Sequence, residues 1–182
     1  MRSTSNLDIR QNMSQVEVSL SVYNPDWPIM FEREKKLLTA VAGEWLQGSV
    51  EHIGSTSVPG LIAKPVIDIM FGIETLDQAR PAIGVLEKEG YHYYPYKQEI
   101  MHWFCKPSPE YRTHHVHLVP YQSELWNERI RFRELLRTNN QIAMEYADLK
   151  EKLSEKYPQD RESYTLEKWP FISRVLYHEK QK

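Results

Sequence analysis

The chain has 182 residues, a net charge of -2 and 41% apolar residues. This length favours one domain, and the composition is that of a globular protein. A dedicated nucleic-acid-binding protein usually carries a basic excess, so we expect no nucleic-acid partner, although a local basic cleft stays compatible with the bulk charge. We predict a frayed, polar arm at residues 1–15 and one folded domain at residues 16–182, of undetermined oligomeric state.

The chain contains a single cysteine, Cys105, and no long apolar segment. One cysteine excludes an internal disulfide and a zinc site made of cysteines. Its side chain is either a small buried apolar group or a nucleophile paired with a nearby histidine. No apolar run approaches the ~18 residues of a membrane-spanning helix, so we expect no membrane partner. The cysteine usage fits a cytoplasmic protein.

Hydrophobic periodicity predicts strands and helices in the first half of the chain. Strict alternation at Val16–Val22 is typical of a half-exposed strand. The nearly continuous apolar run Pro65–Ile73 is typical of a strand buried on both faces. Thr75 is a predicted helix N-cap, and Gly90 is predicted to end that helix. The other predicted elements are a helix at residues 29–47 and a strand at residues 49–53.

The second half of the chain begins with short strands and ends in helices. β-branched and aromatic runs bounded by turn residues predict three strands, at residues 91–94, 100–106 and 114–119. Helical patterns follow at residues 123–138, 139–157 and 161–178, and Pro158 separates the last two. The predicted fold class is α+β, a small mixed β-sheet packed with helices and followed by a helical C-terminal third.

Asp68 is a charged residue inside the buried apolar strand. Its neighbours Val66, Ile67, Ile69 and Met70 are all apolar. An ionised carboxylate in such a strand must be paired or must coordinate a metal to offset its desolvation. A salt bridge or a cap at the strand end is the structural alternative to a catalytic, metal-binding role.

The turn Gly54-Ser55-Thr56-Ser57 precedes this strand. Small residues let the backbone approach a ligand closely, and their amides can hold an anion. The three hydroxyl groups add further donors, so Gly54, Ser55, Thr56 and Ser57 are candidate phosphate-binding residues. An ordinary Ser/Thr turn is the alternative. Lys64 could neutralise a phosphate or pair with Asp68, or it could be a surface lysine.

His115 and His117 are the second candidate set of ligands. Alternate residues of a strand share a face, so both imidazoles are expected to point the same way. Together with Asp68 they could hold a divalent metal such as Mg²⁺, Mn²⁺ or Zn²⁺. The alternative is a pair of histidines hydrogen-bonded to their neighbours. His52, beside the turn, is either a further contact or structural.

Arginines at four-residue spacing form a basic stripe on the predicted helix after residue 123. The stripe comprises Arg129, Arg133 and Arg137. It could face a triphosphate, or it could be a solvated helix face. Scattered tryptophans, Trp103 among them, could stack on a base but are more often part of a core.

Ile53-Gly54-Ser55 followed by Asp68-Ile69-Met70 resembles the nucleotidyltransferase superfamily pattern, a hydrophobic-Gly-Ser turn and then an acid-hydrophobic-acid strand. The resemblance implies that the turn holds nucleotide phosphates and that the acids hold Mg²⁺. Met70 departs from the pattern, because it stands where the second acid is expected. Asp68 alone is a poor Mg²⁺ site, since this ion needs several hard oxygen ligands.

Over about Val18 to Val175 the chain resembles the GrpB family (UPF0157). The resemblance rests on four blocks, namely Tyr23-Asn-Pro-Asp-Trp27, His52-Ile-Gly-Ser-Thr-Ser-Val-Pro-Gly60, Ala63-Lys-Pro-Val-Ile-Asp-Ile69 and His115-Val-His-Leu-Val119. It implies a nucleotidyltransferase-like fold and leaves the reaction open.

These patterns support three hypotheses of function. The first is an enzyme that binds a nucleotide or phosphorylated small molecule and transfers a nucleotidyl or phosphoryl group. The second is a catalytically inactive nucleotide- or anion-binding module, which the missing acid at Met70 favours. The third is a structural domain supporting a partner enzyme, since the GrpB resemblance includes domains fused to dephospho-coenzyme-A kinase.

Overall fold

A five-stranded mixed sheet organises the domain. In a computed structural model, which describes residues 17–178, the strand order is β1-β2-β5-β4-β3. β2 and β5 are parallel, whereas the other neighbouring strands are antiparallel. The strands are β1 (Val50–Ile53), β2 (Ile67–Ile73), β3 (His92–Tyr94), β4 (His102–Pro107) and β5 (Arg112–Pro120). β2 lies between β1 and β5 with helices on both faces, which explains its continuous apolar sequence.

Helices cover both faces of the sheet. α1 (Trp27–Ala42) and α2 (Ala82–Lys88) lie over one face, where Phe31 and Leu38 pack against Ile67, Ile69 and Phe104. On the other face, Trp126 packs against Ile53 and Met70. Trp126 belongs to the C-terminal helical layer, which consists of α3 (Glu124–Thr138), α4 (Asn140–Lys156), α5 (Arg161–Leu166) and α6 (Trp169–His178). The predicted α+β class with a helical C-terminal third is confirmed.

Several predicted helix ends are confirmed by their caps. The Ser123 hydroxyl accepts from the Trp126 amide at 3.3 Å, and the Asn139 side chain accepts from the Ile142 amide at 3.2 Å. Gly90 has φ +81°, a left-handed conformation that glycine adopts at low cost after a helix.

Other predicted boundaries are wrong. The Thr75 hydroxyl does accept from the Gln78 amide at 3.3 Å, but the regular helix is confined to residues 82–88. Pro81 explains the difference, because proline lacks an amide donor and disfavours a helical conformation in the residue before it. The single helix predicted for residues 161–178 is two helices, α5 and α6.

The strand predicted at Val16–Val22 is replaced by an extended segment packed on helices. Within residues 17–22, Ser21 forms an isolated bridge with Ala63. The Val18 side chain is buried against Leu153 and Tyr164, so the alternation reflects contact with the helical layer. Val16 and the arm predicted at residues 1–15 lie outside the described residues. None of the helices between residues 17 and 178 has the length and apolar character needed to cross a membrane.

Candidate metal and anion site

Three predicted ligands converge on the sheet face beneath the C-terminal helices. In the parallel register of β2 and β5, Asp68 lies beside His115, and Met70 lies beside His117. The Asp68 Oδ1 atom is 2.9 Å from His115 Nδ1 and 3.8 Å from His117 Nε2. All three residues offer a ligand atom within 4.8 Å of the others. The two-residue period of β5 therefore places both imidazoles beside the Asp68 carboxylate, as predicted.

The charge states of this cluster suit a cation ligand set. Burial raises the pKa of Asp68, but hydrogen bonding to the two histidines and their charges outweigh burial and hold that pKa well below its usual range. Burial lowers the pKa of His115 to about 4, against the opposing effect of Asp68. At neutral pH the site thus holds an ionised carboxylate and a neutral His115 ring, the forms that bind metals.

One imidazole nitrogen of His115 has no hydrogen-bond partner in the part of the chain that the structure describes. Its neutral ring donates from Nδ1 to Asp68, and its Nε2 atom is buried with no hydrogen-bond partner among residues 17–178. A buried polar atom left unpaired is costly, so it indicates a role beyond packing. His115 also lies against the ring of Trp103, with 5.0 Å between the ring centroids.

The donor set fits Mn²⁺ or Zn²⁺ better than Mg²⁺. Two imidazoles and one carboxylate are typical ligands of Zn²⁺ and other transition metals, whereas Mg²⁺ prefers oxygen ligands throughout. With metal bonds of about 2.0–2.2 Å, ligand atoms of a tetrahedral site lie about 3.4 Å apart. The Asp68 Oδ1 atom lies 3.8 Å from His117 Nε2, near that value. The His115 Nδ1 atom, 2.9 Å from Oδ1, would bind a metal only in the tautomer that carries the ring proton on Nε2.

The Gly54 turn lies directly against the Asp68 carboxylate. Gly54 follows β1 with φ +73° and ψ -177°, a conformation that is essentially restricted to glycine. A Cβ atom at this position would lie 2.5 Å from Asp68 Oδ2. The glycine is therefore required both by the backbone conformation and by the close approach of Asp68.

The hydroxyl groups of the turn divide into two kinds. Thr56 and Ser57 are buried, and their hydroxyls donate to the Val66 and Gly54 carbonyls at 3.1 and 2.6 Å. These two side chains hold the turn in shape. Ser55 instead lines a cavity beside Asp68, where its hydroxyl lies next to the Tyr146 hydroxyl.

Two of the three arginines of the stripe, Arg133 and Arg137, contact the protein backbone, whereas Arg129 is exposed. Arg137 donates from Nε and Nη2 to the Ser57 carbonyl at 3.1 and 2.8 Å. Arg133 donates from Nη1 to the Glu51 carboxylate at 2.7 Å and to the His52 carbonyl at 2.9 Å. Both guanidinium groups therefore fix β1 and the Gly54 turn on α3, and neither the solvated nor the triphosphate-facing alternative describes Arg133 and Arg137.

A small cavity opens beside Asp68, between the sheet and the C-terminal helices. Its volume is about 70 Å³ and it is partly enclosed. Three lysines from separate parts of the chain meet in it, so we call it the lysine cavity. It is lined by Ser55, Thr56, Lys64, Val66, Asp68, His115, Lys150, Tyr164 and Lys168.

Lys150 and Lys168 are functional candidates that the sequence patterns did not indicate. A signal for Lys150 is nevertheless present, because it occupies the buried stripe of α4 with Ile142, Tyr146 and Leu153. A lysine inside an apolar helical stripe is unusual and points to a buried role. Lys168 lies between α5 and α6 and carries no comparable local signal.

The lysine cavity predicts a pH dependence of stability. Burial lowers the pKa of Lys150 to about 7 and that of Lys168 to about 8. Unfolded lysines keep their protons to about pH 10.4, so the unfolded state binds more protons and stability rises with pH. We expect the unfolding free energy to increase by on the order of 4 kcal/mol between pH 7 and 9. The charges of Lys168 and Glu151 also act on the pKa of Lys150, and those of Asp68 and Arg129 act on the pKa of Lys168.

Urea denaturation at intervals of pH measures this effect. The Lys150→Met variant is expected to show a shallower rise, because the side chain that loses its proton has been removed. A wild-type stability that is flat or falls across the same window would contradict the assignment.

His52 and Cys105, two possible site residues, and Met70, which departs from the superfamily pattern, have structural roles. The His52 ring stacks on Phe31, with 4.8 Å between centroids, and its Nε2 is 3.1 Å from the Thr56 hydroxyl. Burial lowers the pKa of His52 to about 4.

Cys105 is fully buried, and burial raises the pKa of its thiol to about 11. A thiol with a raised pKa is a poor nucleophile, so the apolar alternative describes Cys105. Met70 is also fully buried.

Two comparisons with known proteins cover nearly the whole chain. A protein described as glutamate-rich protein GrpB, from Alkalihalophilus pseudofirmus, is 36% identical over 165 residues, which span 88% of this chain and 94% of that protein. The crystal structure of the conserved protein GrpB from Enterococcus faecalis superposes with a TM-score of 0.79 at 33% identity, covering 88% of this chain and 96% of that chain.

A partial match and a family model complete the comparisons. A dephospho-CoA kinase of Mycolicibacterium paratuberculosis is 37% identical over 90 residues, which span 47% of this chain and 21% of that protein. The family model described as GrpB protein matches residues 17–178, the same range that forms the fold described above. The chain therefore belongs to the GrpB family.

Proposed function

We propose that the protein binds a nucleotide or another phosphorylated small molecule together with a divalent metal, and transfers a nucleotidyl or phosphoryl group from it. The observation that carries the proposal is the convergence of Asp68, His115 and His117 beside the Gly54 turn. The same arrangement of a Gly-Ser turn and a strand acid resembles the nucleotidyltransferase superfamily.

The proposed chemistry is positioning and charge stabilisation. A divalent metal, when bound by Asp68, His115 and His117, would neutralise charge that develops on phosphate oxygens. The Ser55 hydroxyl and Lys64 line the cavity next to these ligands and can donate to other phosphate oxygens. Thr56 and Ser57 contribute by fixing the turn.

His117 offers a replacement for the acid that Met70 lacks. The two residues are neighbours across β2 and β5, and the His117 Nε2 lies 3.8 Å from Asp68. An imidazole from the adjacent strand would then occupy the role that a second carboxylate fills in the superfamily pattern. This substitution changes the preferred metal from Mg²⁺ toward Mn²⁺ or Zn²⁺.

Asp68→Asn is expected to remove metal-dependent nucleotide binding. The amide keeps the shape of the side chain but loses its negative charge, so we expect Mn²⁺ affinity to fall at least about tenfold. Isothermal titration calorimetry with MnCl₂, and with ATP in the presence and absence of Mn²⁺, measures the loss. Asp77→Asn is the matched control, because its side chain is 90% exposed and lies outside the site. Equal binding by the Asp68 variant and this control would refute the assignment.

A catalytically inactive binding module is the second candidate. Met70 supports it, because this side chain packs against Trp103 and Trp126 and leaves no second acid at that position. Incubation of the protein with ATP and Mn²⁺, followed by detection of pyrophosphate and phosphate, separates the two functions. Release in wild type and loss in Asp68→Asn support an enzyme, whereas tight binding without release supports the module.

The partial match to a dephospho-CoA kinase suggests a third role, support of an enzyme of nucleotide-linked metabolism. The match spans 21% of that protein, so it concerns a segment of it. A change in a dephospho-CoA kinase's activity on addition of this protein would support that role over an independent one.

A further inference from the structure

The lysine cavity concentrates positive charge around a single carboxylate. Lys64 precedes β2, Lys150 lies on α4, and Lys168 lies between α5 and α6. Asp68 is the acidic residue in the lining, and it is already hydrogen-bonded to His115. The convergence of three lysines on one acid thus depends on elements from both halves of the chain.

These lysines are held by aromatic rings and a carbonyl rather than by carboxylates. The Lys64 and Lys168 ammonium groups lie 4.7 and 4.4 Å from the centroid of the Tyr164 ring. Lys150 is 2% exposed, donates to the Ile62 carbonyl, and lies 4.9 Å from the Tyr146 ring. Within residues 17–178, none of the three forms an ion pair.

Lys150 is buried, Lys64 and Lys168 are half-buried, and placing these ammonium groups close together without ion-pair partners among residues 17–178 is unfavourable. Each loses hydration, and like charges repel more strongly where water is partly excluded. Burial lowers the pKa of Lys64, and the positive charges of Lys168 and Arg161 lower it further. Arg112 adds positive charge to this region, because its charge also acts on Lys64. It is 8% exposed, and its Nη2 atom has no hydrogen-bond partner among the described residues. An anionic ligand would relieve this repulsion.

We infer that the lysine cavity binds the terminal phosphate of the ligand, as found on a phosphate monoester or at the end of a polyphosphate chain. This inference rests on the proposed function and narrows its ligand class. A terminal phosphate carries close to two negative charges at neutral pH, whereas a phosphodiester carries one. Three lysines and one acid line the cavity, and a bound dianion favours the charged form of each lysine, so the cavity matches the higher charge.

The size and shape of the cavity support an end group. A water molecule needs roughly 10–15 Å³ of such volume, so a cavity of about 70 Å³ has room for a group of roughly five heavy atoms. A phosphate has that size. Because the cavity is partly enclosed by the helical layer, a ligand enters with its end, and a phosphodiester chain would need to continue on both sides.

Calorimetry without metal tests the inference. The full chain is titrated in EDTA with inorganic phosphate, inorganic triphosphate, AMP, ATP and the diester thymidylyl-thymidine. We expect binding of the first four and at least about tenfold weaker binding of the diester. AMP compared with ATP distinguishes a monoester source from a polyphosphate source. Diester binding as tight as that of AMP would overturn the inference.

Single substitutions assign the binding to the cavity. Lys168→Met and Lys150→Met are each expected to weaken triphosphate binding at least about tenfold. Lys152→Met is the matched control, because Lys152 is exposed on the same helix as Lys150 and its loss changes the net charge equally. Thermal unfolding without ligand shows whether each variant is folded. Folded cavity variants that bind triphosphate like the Lys152 control would overturn the inference.

These experiments distinguish failure of the phosphate pocket from failure of the proposed metal-dependent function. Loss of Mn²⁺ binding in Asp68→Asn with unchanged triphosphate binding in both lysine variants would retain the metal site and reject the phosphate pocket. Metal-free triphosphate binding that depends on Lys150 and Lys168, without any Mn²⁺ binding, would retain the pocket and reject the metal-dependent function.

Discussion

Replacing Gly54 with alanine is expected to lower the free energy of unfolding by about 3 kcal/mol and to abolish Mn²⁺ binding. The backbone at this residue has φ +73° and ψ -177°, and an added Cβ would lie 2.5 Å from the Asp68 carboxylate. Either the turn must change its conformation or Asp68 must move away from His115. Both responses separate the turn from the ligands, so stability and binding should fall together.

Gly60→Ala provides the control for backbone strain alone. Gly60 also has a positive φ, +78°, but no atom of the described residues lies within 4 Å of an added Cβ. We expect a loss of about 1 kcal/mol, from the left-handed conformation, with Mn²⁺ binding retained. Urea denaturation and calorimetry measure the two variants side by side. If both lose stability equally and both bind Mn²⁺, contact between the Gly54 turn and Asp68 is not important for the site.

Met70→Asp is expected to destabilise the metal-free protein by about 3–5 kcal/mol. Met70 is fully buried among Trp103, Trp126 and other apolar residues, so the new carboxylate loses its hydration without a cationic partner. The same carboxylate would project from β2 beside His117, on the face that carries Asp68. Added Mn²⁺ is therefore expected to restore stability, by about 2.7 kcal/mol at a hundred times its dissociation constant.

Melting temperatures at increasing Mn²⁺ concentration test this expectation. Met70→Leu is the control, with an expected loss below about 1.5 kcal/mol and a Mn²⁺ response equal to that of wild type. A larger Mn²⁺ response in the aspartate variant would indicate that the fold retains the geometry of a two-acid site. An equal response in all three proteins would show that the Met70 position no longer faces the ion.

The two proposed sites form adjacent halves of one ligand-binding region. Asp68 and His115 belong to both, since they are members of the histidine-carboxylate cluster and also line the lysine cavity. A ligand with several phosphates could therefore contact the metal with one phosphate and the lysines with its last. The helical layer would then contribute directly to binding through Lys150 and Lys168, in addition to covering the sheet.

The candidate site was predictable where local periodicity carried the information. The two-residue period of a strand placed His115 and His117 on one face, and the isolated charge in an apolar run marked Asp68. Caps at Ser123 and Gly90 were predictable for the same reason, because their conformations depend on neighbouring residues. The Val16–Val22 alternation was misleading, since contact with helices can produce the same pattern as a strand in a sheet.

The amino-acid pattern alone indicates the α+β class, the Gly54 turn, the charge at Asp68 and the histidine pair, because each depends on residues close together in the chain. Long-range packing is needed to show that Arg133 and Arg137 hold the turn and that Lys64, Lys150 and Lys168 share a cavity beside Asp68. A lysine or an arginine on a helix has the same local pattern whether it faces water, a carbonyl or a ligand. Its role is set by the packing of α3 against the sheet, of α4 against α3 and of α5 against α4, which brings distant parts of the chain together.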